Sequence, residues 1–168
     1  IGLMTLQACV LMGAERIVVA DVIDRRLEKA LQLGAWHVIN GRKEDTVDRS
    51  RALFGGDGAD IVFETAGSRV TAMQSFASVR RGGEVMIVGT IPGETPVDFL
   101  KINREVKVQT VFRYANNFPM TIQAISSGRF DVLTMVTDEY TYEDVQKAFE
   151  ESLSRKAEII KGVIKISD

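Results

Sequence analysis

The first twenty-one residues hold the pattern that most constrains the fold of this chain. An apolar-periodic segment opens at Gly2 and stops at Gly13, and the apolar stretch Ile17–Ala20 then leads to Asp21. In a dinucleotide-binding unit, the helix behind a G-x-G-x-x-G motif points its N-terminus at a pyrophosphate, and an acidic residue after the next strand binds a ribose hydroxyl. Only the last glycine of that motif is present, so the segment predicts the second half of such a unit. A glycine that serves only the packing of an apolar helix would give the same pattern.

Composition narrows the class of protein. With 168 residues, 45% hydrophobic and 26% charged, the chain has the length of one soluble domain or of one domain plus part of another. Its net charge of −2 does not indicate a basic surface that would bind nucleic acid or an anionic membrane. No apolar run reaches the ~18 residues of a membrane span. We therefore expect neither nucleic acid nor a membrane as a partner. The single cysteine excludes an intrachain disulfide framework and favours a reducing compartment, so we expect a cytoplasmic protein.

Short apolar strands alternate with helical periods, which indicates βαβ units and a doubly wound parallel sheet. The predicted strands are Ile17–Ala20, Val38–Ile39, Ile61–Phe63, Glu84–Val88, Val106–Phe112 and Gly162–Ile166. The predicted helices are Arg25–Leu33, Glu44–Leu53, Val70–Val79 and Pro119–Ser127, followed by a helix opened by Thr141. We expect Gly82-Gly83 to end the Val70–Val79 helix. The side chains expected to face the core are Leu3, Leu6, Val10, Leu27, Ala30, Leu31, Met73 and Phe76.

The carboxyl ends of the strands are where a sheet of this kind binds ligands. Small residues there let the backbone approach a cofactor closely, and Asp21 supplies a carboxylate for a hydroxyl group. Gly67 and Gly89 could also do no more than end their strands. The segments at these ends are Asp21, Glu64–Gly67, Val88–Thr90 and Val111–Tyr114.

One run of residues carries a family resemblance. Val111-Phe112-Arg113-Tyr114, followed by Asn116 and Phe118-Pro119, resembles the sorbitol (L-iditol) and related polyol dehydrogenases, within the zinc-dependent medium-chain dehydrogenases. Further matching segments are Ile1-Gly2-Leu3, Val19-Ala20-Asp21, Arg26-Leu27, Leu33-Gly34-Ala35, Glu64-Thr65-Ala66-Gly67, Gly82-Gly83 and Val88-Gly89. The resemblance implies an α/β fold with a Rossmann-type doubly wound parallel sheet in residues 1–115, and a C-terminal segment of the catalytic domain in residues 116–168.

The same resemblance implies the roles of individual residues. Asp21 would bind the adenosine ribose, and its charge disfavours a 2′-phosphate, so we expect NAD rather than NADP, although Arg25 and Arg26 weaken this preference. Arg113 and Tyr114 would reach toward the hydroxyls of a polyol, although Arg113 could instead form a surface ion pair. The cofactor contacts implied are Ile1, Gly2, Asp21, Arg26, Val88, Gly89, Thr90, Val111, Phe112 and Arg113.

The implied reaction is the reversible oxidation of a secondary alcohol to a ketone, with hydride transfer to the nicotinamide and a zinc ion as Lewis acid. We expect no metal ligand and no catalytic residue in this chain. Cys9 lies in an apolar helix and His37 lies where the family has no ligand. The resemblance places the zinc ligands in an N-terminal catalytic domain, so we expect these 168 residues alone to be inactive.

Two other functions remain open from the sequence. Another enzyme on the same scaffold, such as a threonine dehydrogenase or a zinc-free quinone-type reductase, would share the fold but not the Val111–Tyr114 run. A non-enzymatic nucleotide-binding or regulatory module would suit the short chain. The family resemblance implies a homo-oligomer, either a tetramer or a dimer.

The N-terminal residue suggests a fragment. The chain begins with Ile-Gly inside a motif rather than with Met, so we interpret it as part of a longer protein. In the strand order 3-2-1-4-5-6 the missing first strand is central, so its neighbours should expose unpaired edges and make the chain prone to aggregation. We also expect the segment from about Asn116 onward to pack partly on an absent domain, with an apolar face exposed around Val145, Ala148 and Phe149.

Overall fold

The computed structural model of the chain describes residues 1–102 and 105–167. Helices and strands alternate through most of it, as the sequence predicts. The helices are α1 (Gly2–Leu11), α2 (Asp24–Gln32), α3 (Thr46–Leu53), α4 (Arg69–Ser78), α5 (Phe99–Ile102), α6 (Phe118–Ser126) and α7 (Val145–Ser154), with a 3-10 turn at Leu133–Met135. The strands are β1 (Val18–Asp21), β2 (His37–Asn40), β3 (Ala59–Glu64), β4 (Val79–Ile87), β5 (Lys107–Thr110), β6 (Asp138–Thr141) and β7 (Gly162–Lys165).

Every strand pair in the described residues is parallel, which confirms the predicted α/β class. β1 pairs with β2, the order β3-β4-β5 forms a second group, and β6 pairs with β7. Within residues 1–102 and 105–167, β1 and β3 do not pair with each other or with a strand between them. Each therefore presents one unpaired edge, at the position where the predicted strand order has its central strand.

The core lies between α1, α2 and the turn at Leu133–Met135. Leu3 and Leu6 of α1 pack there with Ala30, Ala35 and Met135. The expectation that Val10 and Leu31 are buried is wrong, because both are exposed and Leu31 keeps 50% of its surface. α2 buries Leu27 and Ala30, which lie three residues apart on one face. Leu31 lies at the edge of that face.

The junction of α4 and β4 differs from the prediction. α4 ends at Ser78, and β4 runs through Gly82-Gly83 instead of starting after them. Glycine is required inside this strand because a Cβ at Gly83 would lie 2.7 Å from the Asp60 carbonyl oxygen. The pairing of β3 with β4 shifts register between Ala59 and Ile61, which marks the same irregularity.

α4 also buries a different face from the one predicted. Its buried residues are Ala72, Ser75 and Ser78, which are small and spaced three apart. Met73 is exposed, so its predicted place in the core is wrong, and Phe76 is half-buried. The small side chains allow α4 to pack closely on β3 and β4.

The C-terminal segment contacts α1 and α2. The buried Gln7 side chain donates to the Asp131 carbonyl oxygen at 3.0 Å and accepts from the Asp131 amide at 2.7 Å. Arg26 of α2 donates to the Lys156 carbonyl oxygen at 3.1 Å. These contacts join the two predicted domains, and the boundary between residues 115 and 116 stays a prediction.

The final strand–helix–strand unit begins with a strand that the sequence did not reveal. Thr141 ends β6, and α7 starts only at Val145, so the prediction that Thr141 opens the helix is wrong. Phe149 and Val145 are exposed as expected. Ala148 is buried, contrary to expectation, and α7 packs on β6 and β7.

Candidate functional site

The carboxyl ends of β3, β4 and β5 lie side by side at one edge of the sheet. The amides of Val88 and Gly89 donate to the Glu64 carbonyl oxygen at 2.8 and 3.0 Å. The Val111 amide donates to the Ile87 carbonyl oxygen at 2.8 Å. The structure therefore brings together three of the strand-end segments named from the sequence.

Gly67 and Gly89 allow the first two of these ends to touch. Gly67 has a φ of +70°, and a Cβ there would lie 2.8 Å from the Thr90 carbonyl oxygen. A Cβ at Gly89 would lie 2.5 Å from Glu64 Oε2 and 2.7 Å from the Gly67 Cα. Neither glycine merely ends a strand, because the absence of a side chain at each one is what permits the close contact of the two loops.

Helix α1 brings its N-terminus to the end of β3. A Cβ at Gly2 would lie 3.0 Å from Thr65 Oγ1, so the first turn of the helix packs tightly on this loop. The first helical hydrogen bond runs from the Thr5 amide to the Ile1 carbonyl oxygen, and no side chain of the described residues caps the helix. The amides of the first turn are therefore unused by the helix, and the positive end of its dipole lies beside the strand ends. The side chain of Ile1 is exposed at this point.

Asp21 ends β1 with its carboxylate in a fixed orientation. Oδ1 accepts from the amides of Val22 and Ile23 at 2.7 and 3.0 Å. Oδ2 lies 3.7 Å from Arg26 Nη1, and among the described residues it accepts no hydrogen bond. Arg26 thus lies beside Asp21, as the sequence implied, and one carboxylate oxygen remains able to accept a hydrogen bond.

The run from Val111 to Tyr114 follows β5 and is exposed. Arg113 adopts a φ of +62°, and its guanidinium carbon lies 5.2 Å from the centroid of the Phe112 ring. Tyr114 packs edge-on against Phe118, with ring centroids 5.2 Å apart. Arg113 has no carboxylate within ion-pair distance among residues 1–102 and 105–167. The surface ion pair considered as an alternative is therefore not seen there.

Glu64 is the residue of this site whose importance the sequence did not reveal. It was named only as part of the Glu64–Gly67 strand end, but its side chain is 2% exposed and organises the loop that follows. The available signal was an acidic residue at the end of an apolar strand and directly before a turn of small residues.

Side chains that could bind a metal are scattered in the described residues. In the described part of the chain, no group of three or more His, Cys, Asp or Glu side chains could hold a metal ion. Burial raises the pKa of the half-buried Cys9 thiol, and His37 Nε2 lies 3.4 Å from Arg49 Nη2. The residues that the structure describes thus do not fit a zinc site. No helix in these residues is long and apolar enough to cross a membrane.

Comparison with known sequences defines the class of protein. The sequence model of the zinc-binding dehydrogenase family matches residues 1–127. The chain belongs to this family, which agrees with the parallel α/β sheet and the glycine-rich strand ends described above.

Individual relatives are dehydrogenases of the alcohol and polyol type. An uncharacterised zinc-type alcohol dehydrogenase-like protein of Escherichia coli is 64% identical over the whole chain, which covers 48% of that protein. The sorbitol dehydrogenase of Bacillus subtilis is 38% identical over 98% of the chain and 47% of its own length. The predicted resemblance to this group is confirmed. The chain spans about half the length of the curated relatives it matches.

Solved structures show the same fold. A crystal structure from Escherichia coli, described as an oxidoreductase/dehydrogenase of unknown specificity involved in membrane biogenesis, superposes with a TM-score of 0.95 at 64% identity, covering 99% of this chain and 48% of that one. The benzyl alcohol dehydrogenase of Acinetobacter calcoaceticus gives a TM-score of 0.88 at 26% identity, covering 99% and 47%. The fold is therefore that of the medium-chain dehydrogenases.

Proposed function

We propose that this chain is the NAD-binding half of a dehydrogenase that oxidises a secondary alcohol of a polyol to a ketone. The observation that carries the proposal is the carboxylate of Asp21 at the end of β1. It is oriented by two backbone amides, and Oδ2 accepts no hydrogen bond from the described residues. An oxygen held in this way suits a ribose hydroxyl as donor.

The negative charge of Asp21 favours NAD over NADP. A 2′-phosphate on the ribose would bring a second negative charge next to the carboxylate, and like charges repel most strongly where solvent is partly excluded. Arg26 Nη1 lies 3.7 Å from Asp21 Oδ2 and offsets part of this repulsion. The preference for NAD is therefore stronger when the Arg26 guanidinium stays bound to Asp21 and to the Lys156 carbonyl oxygen, where it is not free to bind a 2′-phosphate.

The strand ends supply the rest of the cofactor site. The unused amides in the first turn of α1, behind Gly2, suit a pyrophosphate. The backbone at Val88–Thr90 and at Val111–Phe112 would hold the nicotinamide end, with Ile1 and Arg113 alongside. When bound, NAD supplies the acceptor for the hydride. The chain's own residues hold and orient it.

The substrate proposal rests on Arg113 and Tyr114. Both follow the strand end that would meet the nicotinamide, and both are exposed, so a guanidinium fork and a phenol are available to the hydroxyls of a polyol. Relatives of the chain named as sorbitol dehydrogenase and D-xylulose reductase support this substrate class.

The remaining features of the whole protein follow from the family. We propose that zinc ligands lie outside these 168 residues and that the chain alone is inactive. We further propose a cytoplasmic homo-oligomer, tetramer or dimer. A threonine dehydrogenase or a zinc-free reductase would share the Asp21 site, so the Phe112-Arg113-Tyr114 run is what favours a polyol.

Calorimetry of NAD and NADP binding to the full-length protein tests the proposal. We expect saturable binding of NAD, weaker binding of NADP, and loss of NAD binding in Asp21→Ala. Asp57→Ala, in the exposed turn after α3, serves as the control and should bind NAD like the wild type. A folded protein that binds neither nucleotide would contradict the proposal.

A further inference from the structure

Glu64 forms hydrogen bonds with the loop after β3 and with the end of β4. Its main-chain oxygen accepts from Val88 and Gly89, as described above. Its side-chain Oε1 accepts from the amides of Ala66 and Gly67 at 3.0 and 2.9 Å. One residue therefore sets the position of the β3 loop through its side chain and that of the β4 end through its backbone.

Helix α4 is attached to the same carboxylate. The Thr71 hydroxyl donates to Glu64 Oε1 at 2.6 Å, and the N-cap residue Ser68 lies 2.7 Å from Thr71 Oγ1. Because the Thr71 proton goes to Glu64, the Ser68 hydroxyl donates to Thr71. The N-terminus of α4 is thus held on the carboxylate through a chain of hydroxyl groups.

The other carboxylate oxygen has no such partner. Glu64 Oε2 is buried and makes no hydrogen bond with the described residues. It lies against Gly89, where a Cβ would come within 2.5 Å of it. A buried acceptor without a partner costs stability, so packing and hydrogen bonding within the loop do not by themselves account for a carboxylate here.

We propose that Glu64 is a positioning residue for cofactor binding. Its carboxylate fixes the backbone at Ala66–Gly67, which lies against Gly89, and through that backbone it sets the surface that meets the nicotinamide end. The inference rests on the proposed function, which places the cofactor at these strand ends. Glu64 itself need not touch the cofactor.

Glu64→Gln, Thr71→Val and Thr71→Ser in the full-length protein test this role. A neutral amide oxygen is a weaker acceptor than a carboxylate, so we expect Glu64→Gln to raise the Kd for NAD by about tenfold. Thr71→Val removes one donor and should raise the Kd by a smaller factor, whereas Thr71→Ser keeps the hydroxyl and should restore wild-type affinity. Glu84→Gln, at a partly exposed acid of β4 paired with Lys107, is the matched control and should leave the Kd unchanged.

The outcomes separate positioning from plain stability. The thermal midpoint without NAD and the KM for the alcohol are measured alongside the Kd for NAD. If Glu64 is a positioning residue, the Kd and KM for NAD change while the KM for the alcohol stays the same. Variants that lower the thermal midpoint but bind NAD like the wild type overturn this inference alone. A wild-type protein that binds neither NAD nor NADP overturns the proposed function together with it. If Glu64→Gln does not fold, the Thr71 pair decides the question.

Discussion

At the scale of single residues, Gly89 has no room for a side chain. Its φ lies outside the left-handed region, so any cost of a side chain there comes from contact with Glu64 and Gly67. We expect Gly89→Ala to lower the free energy of unfolding by about 1–3 kcal/mol, the usual cost of overpacking, and to weaken NAD binding. Chemical denaturation and calorimetry measure the two effects.

Gly55 provides the comparison for this prediction. It has a φ of +76° and open space around the position of a Cβ, so Gly55→Ala brings backbone strain without a clash. We expect a loss of about 1 kcal/mol and no change in NAD affinity. Equal NAD affinity in Gly89→Ala and the wild type would show that the contact between the two loops is not part of the cofactor site.

The sequence predicted the position of Asp21, whereas its role in binding a ribose stays a prediction. Asp21 follows a recognisable strand, and its carboxylate lies at the strand end beside Arg26 as implied. Glu64 could not be assigned in the same way, because its role depends on hydrogen bonds to Ala66, Gly67 and Thr71 that exist only once β3 and α4 are packed. The prediction that Met73 is buried was wrong because small residues of α4, rather than large ones, face the sheet.

At the scale of elements, an ionic cluster joins β6 to α7. Arg155 Nη1 donates to Asp138 at 3.0 Å and to Glu151 at 2.8 Å, while Arg155 Nε donates to Glu158 at 2.9 Å. Tyr140 of β6 donates its hydroxyl proton to Glu151 Oε2 at 2.9 Å. The cluster thus holds the last helix on the strand that precedes it.

Acid should weaken this unit. A hydrogen bond from Thr137, together with Arg155, lowers the pKa of Asp138, and hydrogen bonds from Tyr140 and Arg155 lower the pKa of Glu151. Because folding lowers both pKa values, the stability they contribute is fully present above their unfolded pKa of about 4 and is lost as the pH falls through the folded values. In the full-length protein we expect the urea midpoint to fall as the pH is lowered below about 4, and Arg155→Met to make that fall less steep.

Arg51→Met is the matched control for the acid profile. The Arg51 guanidinium donates to the Gly56 carbonyl oxygen and has no carboxylate partner among the described residues. Its removal should leave the slope of stability against pH unchanged. An Arg155→Met profile with the wild-type slope would mean that the cluster does not contribute to acid sensitivity.

Helices and strands were predicted best where apolar residues recur at the regular spacing of a helix or a strand. β1, α2 and α3 lie within a residue or two of their predicted bounds. β6 was missed because Asp-Glu-Tyr-Thr has little apolar character and takes its place from pairing with β7. The α4–β4 junction was misplaced because a Gly-Gly pair usually ends a helix, whereas here it lies within a strand that approaches β3 closely.

At the scale of the whole molecule, the edges of β1 and β3 dominate the behaviour expected of the isolated chain. β3 exposes Ile61 at 48% and Phe63 at 38%, and its outer edge is unpaired in the described residues. An apolar strand edge of this kind recruits other strands. We expect the isolated chain to self-associate and to unfold without a sharp cooperative transition, as seen by sedimentation velocity and calorimetry.

A charge on the strand should reduce this self-association. Ile61→Lys places a positive charge on β3 and should raise the monomer fraction, because charged side chains discourage edge pairing. Leu153→Lys replaces an apolar residue on α7 that is more exposed than Ile61 and lies away from the edge, and it should have little effect. A monodisperse wild-type chain with a cooperative transition would contradict the prediction.

The contact between Gln7 and Asp131 also bears on how such a chain can diverge. Two hydrogen bonds of the Gln7 side-chain amide join the main chain of residue 131, while the Asp131 side chain accepts from Thr134. Any residue type except proline offers the same main-chain donor and acceptor. In descendants of this sequence, position 131 is therefore free to drift as far as this contact is concerned, while position 7 must keep a side chain that both donates and accepts. This contact therefore restricts the residue type at position 7 but not at position 131. We expect no covariation between the two positions among related sequences.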